Sequence, residues 1–288
     1  MDAWLRGRVG KQVTEGTDGR RRSRWIDEAA TVVEHAPGGP GWFVLTLSSP
    51  NIATSAAPGQ FVQVDVRGSA HADSADPLLR RPLSLCTIEP ALGRVTCVYR
   101  VVGRGTSLLA RTPVRTSLRL LGPLGRSFPD PGRQQAPLLL IGGGLGIPPL
   151  AAAAAWARRA GRTPQALLGA RTAADLAGRA QVEATGAEVL LATEDGSAGR
   201  VGLVTDILTE HLSPSAEVWA CGPAPMLAAV AAACARAQAS CWLCVERPMA
   251  CGFGVCIGCA VARSDRTGYL KACVDGPVFA AGEIDVQE

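Results

Sequence analysis

Four cysteines near the C-terminus limit what this chain can fold into more than any other feature. They are Cys251, Cys256, Cys259 and Cys273, in the order C-x4-C-x2-C…C, and the stretch PMACGFGVCIGCAV that holds three of them also carries three glycines. Four thiolates are the ligand number of a [2Fe–2S] cluster, and this order matches the plant-type spacing. Gly252, Gly254 and Gly258 let such a loop turn tightly and bring backbone N–H groups toward sulfur, which tunes a cluster's potential. Structural zinc is an alternative, although zinc favours paired C-x2-C knuckles and only Cys256 and Cys259 form one. Disulfides are a third. The segment 246–288 is too small for a core of its own, so something else, such as a metal, must order it.

The remaining cysteines, Cys86, Cys97, Cys221, Cys234, Cys241 and Cys244, fall mostly in predicted strands or helices and read as small buried hydrophobes. The opening MDAWLRGRVGKQ has no apolar h-region. No secretory signal is visible, so a cytoplasmic setting with reduced thiols is expected. The basic run Arg20, Arg21, Arg22 and Arg24 reads as part of a flexible, solvated arm over residues 1–25, with a docking or nucleic-acid arm as the alternative. The formal charge of +4 is too small an excess to imply nucleic acid.

Residues 26–130 carry short β-rich runs between Gly, Pro and polar turns: FVLTLSS, QFVQVDV, RPLSLCTI, RVTCVYRVV and SLRLLGPLG. They predict an antiparallel barrel or sandwich, interrupted by a polar loop at 67–77. Residues 131–245 alternate. Strands at PLLLIGG, PQALLGA, AEVLLATED, AEVWACGP and SCWLCVE are separated by helices at PPLAAAAAWARRAG, GLVTDILTEHL and PMLAAVAAACARA. That rhythm predicts a doubly wound parallel sheet. The uncharged run 136–157 is long enough to span a bilayer, but its central glycines and prolines predict a strand, a turn and a helix instead.

IGGGLGIPPL follows a strand and opens a helix, where backbone N–H groups attract phosphate. A Rossmann fingerprint would need a glycine at Pro149 and an acid at the end of the next strand, and neither is present. CGPAPML, at 221–227, repeats the strand-to-helix build, and two such turns at one sheet edge define a crevice. In RRPLS, Arg81 suits a pyrophosphate and Ser84 a ring nitrogen. In YRVVGRGTS, Gly105 precedes Thr106, which reads as the N-cap of a short helix. Arg171 and Thr172 follow the second strand of the sheet, where a 2′-phosphate would bind, leaving NADH and NADPH both open.

Taken in order, RPLS, GRGTS, IGGGLGIPP and CGPAPML resemble the ferredoxin–NADP reductase superfamily. The tail RPMACGFGVCIGCAV…KACVDGPVF resembles the electron transfer subunits of NAD-linked, two-component dihydroorotate dehydrogenases. The resemblance spans 26–288. It implies an FAD-binding barrel, an NAD-binding α/β domain and a [2Fe–2S] module. It also implies that Arg81, Pro82, Leu83 and Ser84 line FAD, with Ser84 near the flavin N5. Val98, Tyr99 and Arg100 would border the flavin, and Gly105 and Thr106 its pyrophosphate. Gly143, Gly144, Gly146, Cys221, Gly222 and Pro223 would approach NAD(H), and Cys251, Cys256, Cys259 and Cys273 would ligate the cluster. The family further implies a separate FMN-containing catalytic subunit and a heterotetramer of two of each. The arm before residue 26 and the loop around His71 are longer than this pattern needs. Two other readings remain: a ferredoxin- or hydrogenase-linked NAD(P)H oxidoreductase subunit, and a zinc-stabilised nucleotide sensor.

Overall fold

Strand β1 (Thr14–Glu15) opens the computed structural model, which describes residues 14–15, 18–22, 24–67, 76–134 and 136–286. The His71 loop and most of the N-terminal arm lie outside the described residues. After β2 (Arg20–Arg22) come β3 (Ile26–Gly39), β4 (Trp42–Ser48), helix α1 (Pro50–Ser55), β5 (Phe61–Asp65), β6 (Arg81–Glu89), β7 (Arg94–Arg100), α2 (Arg104–Leu109) and β8 (Ser117–Leu124). The barrel closes in the order β3-β4-β7-β6-β5-β8. Closure comes from β8, which pairs with β3 on one side and β5 on the other, so the outcome is a barrel rather than a sandwich. Inward positions alternate along each strand, as the strand period requires. Val62 and Val64, Leu83 and Leu85, and Cys97 and Tyr99 fill the interior. The long β3, whose Pro-Gly-Gly end hides its pattern, had no counterpart among the sequence's predicted strands.

The chain then forms β9 (Arg126–Pro129), β10 (Leu138–Gly143), α3 (Ile147–Arg159), β11 (Gln165–Ala170), α4 (Arg179–Glu183), β12 (Glu188–Thr193) and β13 (Arg200–Val201). It continues with α5 (Val204–His211), β14 (Glu217–Cys221), α6 (Ala224–Ala237), β15 (Ser240–Cys244), β16 (Ala260–Ala262), β17 (Tyr269–Lys271) and β18 (Val278–Ala280). The large sheet runs β13-β12-β11-β10-β14-β15-β18. It is doubly wound. Leu138 and Leu140 of β10 face α3, while Leu139 and Ile141 face the side packed by α5 and α6. The run 136–157 is the predicted strand, turn and helix, and no helix among the described residues is long and apolar enough to cross a membrane.

Two features differ from the sequence reading. The cysteine-rich tail, expected to depend on a metal for its order, is also held by the large sheet: β18 joins it antiparallel to β15. Cys259, Val261, Cys273 and Phe279 share one apolar cluster with Phe61 and Leu121 of the barrel and Leu227 of α6. The second concerns the arm. Arg20 is 4% exposed and not solvated. Its guanidinium pairs with Asp18 at 2.6 Å and Glu283 at 3.2 Å, donates to the Val278 carbonyl, and lies over the Trp242 ring at 5.3 Å. Strand β2 pairs with β9. This part of the arm therefore ties the barrel's exit strand to the C-terminal module, because a buried guanidinium is tolerated only when its donors are met.

Candidate functional site: a nucleotide crevice beside a four-thiol loop

The crevice forms where β10 and β14 end side by side, with Gly142 in register with Cys221. Beyond β10 the chain makes a tight turn at Gly144–Gly146 and enters α3. Gly144 has φ +54°, and a Cβ on Gly146 would run into the Cys221 carbonyl. Only glycine lets these two turns meet so closely. Gly143, Gly144, Gly146 and Pro223 border a cavity of about 580 Å³, which Arg100 reaches from the barrel. Cys221 sits behind it, 2% exposed. Its thiol is held well above the usual range by its hydrogen bond with Cys244 and by burial, so it is no nucleophile. Gly222 and Pro223 border a smaller cavity of about 180 Å³.

Sequence reasoning found no acid after β11. The structure brings in two that pattern alone does not reveal, Asp175 from a turn beyond that strand and Glu194 beyond β12, and both border the larger cavity with Arg171. Thr172 donates to Asp175 at 3.0 Å. Arg100 of β7 pairs with Asp175 at 2.8 Å, and the Trp42 indole donates to the Ala174 carbonyl at 3.2 Å, so the barrel and the sheet are joined at this edge.

On the barrel, Arg81 and Gly105 come together. The Arg81 guanidinium covers Gly105 so closely that a Cβ there would strike its Nε. The capping expectation needs correction. The N-cap of α2 is Gly103, and Thr106 lies three residues further on. Its hydroxyl accepts from the N–H groups of Val102 at 2.9 Å and Gly103 at 3.2 Å, tying down the loop before the helix rather than capping from outside. Leu83 faces the barrel interior, which leaves Pro82 and Ser84 on the outer face of β6, where Cys86 packs toward α3. Val98 and Arg100 share the outer face of β7. The Tyr99 ring points inward, stacked on Phe43 at 5.7 Å with its hydroxyl 2.9 Å from His35 Nε2, so Tyr99 offers the outer face only its backbone.

The four thiols fall in two pairs on a loop and a hairpin. Strands β16 and β17 pair Ala260 with Lys271, which brings Cys259 beside Cys273 with their sulfurs 3.2 Å apart. Cys251 and Cys256 form the other pair. Burial raises the Cys251 thiol, but the N–H groups of Cys256, Phe253 and Val255 outweigh it and bring it down to about 6. Burial and the neighbouring Cys259 push the Cys273 thiol up to about 12. Among the described residues no three His, Cys, Asp or Glu side chains stand in finished metal geometry. The donor set nevertheless fits a cluster. It comprises four thiols, backbone N–H groups turned toward Cys251, and the left-handed turns at Gly252, Gly254 and Ile257 that aim them.

Similarity to known structures follows this geometry. An NADH-dependent reduced ferredoxin–NADP oxidoreductase superposes with a TM-score of 0.76 at 28% identity over 90% of each chain. A ferredoxin NADP+ reductase from Neisseria gonorrhoeae with bound FAD and NADP shares the fold, at TM-score 0.60 and 14% identity over 73% of this chain and 91% of its own. Barrel, crevice and thiol loop together define an iron–sulfur flavoprotein reductase of the ferredoxin–NADP reductase type. Residues 246–285 match the iron–sulfur cluster binding domain of dihydroorotate dehydrogenase B. The dihydroorotate dehydrogenase B (NAD(+)) electron transfer subunits of Geobacillus kaustophilus and Bacillus caldolyticus are 41% and 42% identical, each over 84% of this chain and 92% of their own. The chain belongs to this family of electron transfer subunits.

Proposed function

We infer that this chain is an oxidoreductase subunit that passes electrons between a catalytic, FMN-containing dihydroorotate dehydrogenase subunit and NAD+, in pyrimidine biosynthesis. The observation that carries the reading is the shared apolar cluster, which holds Cys259 and Cys273 together with the barrel's Phe61 and Leu121, so the thiol loop and the flavin barrel meet within one chain. When bound, FAD exchanges hydride pairs for single electrons and a [2Fe–2S] cluster carries electrons singly.

The chain's residues bind and orient these groups; hydride transfer itself asks no side-chain acid or base of them. Arg81, with Gly105 and the start of α2, holds the flavin pyrophosphate. Pro82 and Ser84 line the flavin from the outer face of β6, with Ser84 near N5, and Val98 and Arg100 do so from β7. Gly143, Gly144 and Gly146 let the nicotinamide nucleotide approach the backbone, with Cys221, Gly222 and Pro223 shaping the second turn. The four cysteines supply the metal ligands. In this assignment residues 26–130 bind FAD, 131–245 bind NAD(H) and 246–288 carry the cluster. The setting is cytoplasmic, and the assembly is a heterotetramer of two of each subunit.

A second reading, an NAD(P)H:ferredoxin-type subunit, is favoured only by the fold match to the ferredoxin–NADP oxidoreductase. One experiment separates the two. Anaerobically purified chain is expected to show flavin and iron–sulfur absorbance and to reduce artificial acceptors with NADH, but not to oxidise dihydroorotate. Adding the FMN subunit should confer dihydroorotate-dependent NAD+ reduction. Folded protein without iron or flavin, or dihydroorotate oxidation by the chain alone, overturns the reading.

A further inference from the structure

Strand β5 alternates. Val62 and Val64 enter the barrel core, while Phe61 and Gln63 point outward, and Phe61 joins the cluster that contains Cys259 and Cys273. Gln63 is 0% exposed, yet neither its Nε2 nor its Oε1 has a hydrogen-bond partner. Among the described residues it is the only side chain with two buried polar atoms left unmatched. Unpaired buried amides are costly, and proteins keep them where a ligand or ion completes the bonding. Gln60, three residues earlier and equally buried, uses both ends of its amide. It accepts from the Ala57 N–H at 2.8 Å and donates to the Gly125 carbonyl at 2.8 Å.

The neighbours of Gln63 say what it faces. Across β5 and β6 its register partner is Pro82, within the R-P-L-S stretch. On the other side lies the thiol loop: a Cβ on Gly252 would stand 2.7 Å from Gln63 Nε2, and Gly252 directly follows Cys251. Gly252 has φ +80°, so both its backbone and its contact with this amide exclude a side chain.

We propose that Gln63 is a positioning residue for the metal centre, its Nε2 donating to sulfur at the Cys251 corner of the loop. This deepens the iron–sulfur reading and rests on it. Thiolate and sulfide are acceptors, so the amide nitrogen is the matching end. A donor to cluster sulfur stabilises the more negative, reduced state and raises the potential. The bond also joins the cluster loop to the strand that pairs with the flavin-lining residues.

The test uses the full, cofactor-loaded chain. Gln63→Leu removes the donor at similar volume, and Gln63→Glu replaces the donor with an acceptor. In both, redox titration followed by EPR is expected to show the cluster potential moving negative. The shift should be on the order of tenfold in the reduced-to-oxidised ratio at fixed potential, ~59 mV, with Gln63→Glu shifted further. The flavin potential should stay in place. An unchanged cluster potential in a fully loaded Gln63→Leu, or a shift confined to the flavin, overturns the proposal. Pulsed EPR on wild-type protein carrying isotope-labelled glutamine needs no variant. A side-chain nitrogen coupling to the reduced cluster is expected, and a cluster signal without it overturns the proposal alone. No cluster signal at all overturns the iron–sulfur reading, and this proposal with it.

Discussion

At the scale of single residues, the base of the large sheet depends on one ion pair. Arg162 and Glu217 are both buried, 2.7 Å apart. Further hydrogen bonds surround the pair. Arg162 also donates to the carbonyls of Pro131 and Ala136, and the Trp219 indole donates to Glu217 at 2.9 Å. Removing one partner leaves an uncompensated buried charge, so Glu217→Ala should cost about 3–5 kcal/mol. Denaturant unfolding followed by fluorescence would measure it. Gly146 offers a second test. Gly146→Ala would drive its Cβ into the Cys221 carbonyl and should force the two turns apart. We expect NADH affinity to fall at least tenfold while iron and flavin content are retained, as read by NADH titration of the flavin absorbance. Gly146 was legible because a glycine run after a strand is a local signal. The Arg162–Glu217 pair was not, since the two residues are far apart in sequence.

At the scale of elements, β7 and the turn after β11 are joined by Arg100–Asp175, reinforced by Trp42 on Ala174. The hydrogen bond from Arg100 holds the Asp175 carboxyl below its ordinary range. A depressed carboxylate stabilises the fold fully above its unfolded pKa, about 4, and loses that contribution as pH falls through the lower folded value. Both partners are about a third exposed, so Asp175→Asn should cost less than ~1 kcal/mol at neutral pH. The difference in thermal midpoint between wild type and variant should hold from neutral down to mildly acid pH and vanish in strong acid. A difference that grows on acidification would refute the assignment. The predicted strands and helices flanking this contact were legible from periodicity, but their meeting was not, because neither Arg100 nor Asp175 belongs to a motif that names the other.

At the scale of the whole molecule, the thiol loop lies at the surface. Val255 is 73% and Ile257 62% exposed on either side of the exposed Cys256, and Phe253 lies 6.1 Å from the Trp25 ring. An apolar rim around an accessible thiol suits a protein partner more than water. We expect this rim to carry the catalytic subunit. Val255→Glu should weaken co-purification with that subunit at least tenfold while leaving NADH-driven dye reduction and iron content unchanged. Undiminished complex formation, measured by size-exclusion chromatography, would place docking elsewhere.

From residue order alone came the strand–helix rhythm, the two glycine turns, the R-P-L-S and G-R-G-T-S stretches and the cysteine quartet. Each is a relation among near neighbours, and backbone geometry makes such relations periodic or fixed in spacing. Tertiary structure decided the rest. It closed the strands into a barrel and turned Tyr99 inward. It buried Arg20 against Glu283, 263 positions away, and sewed the cysteine tail into the large sheet through β18. It also left Gln63 unpaired beside Gly252. These outcomes depend on which distant surfaces must share a dry interior and on which buried polar atoms then find partners, and no local pattern encodes that.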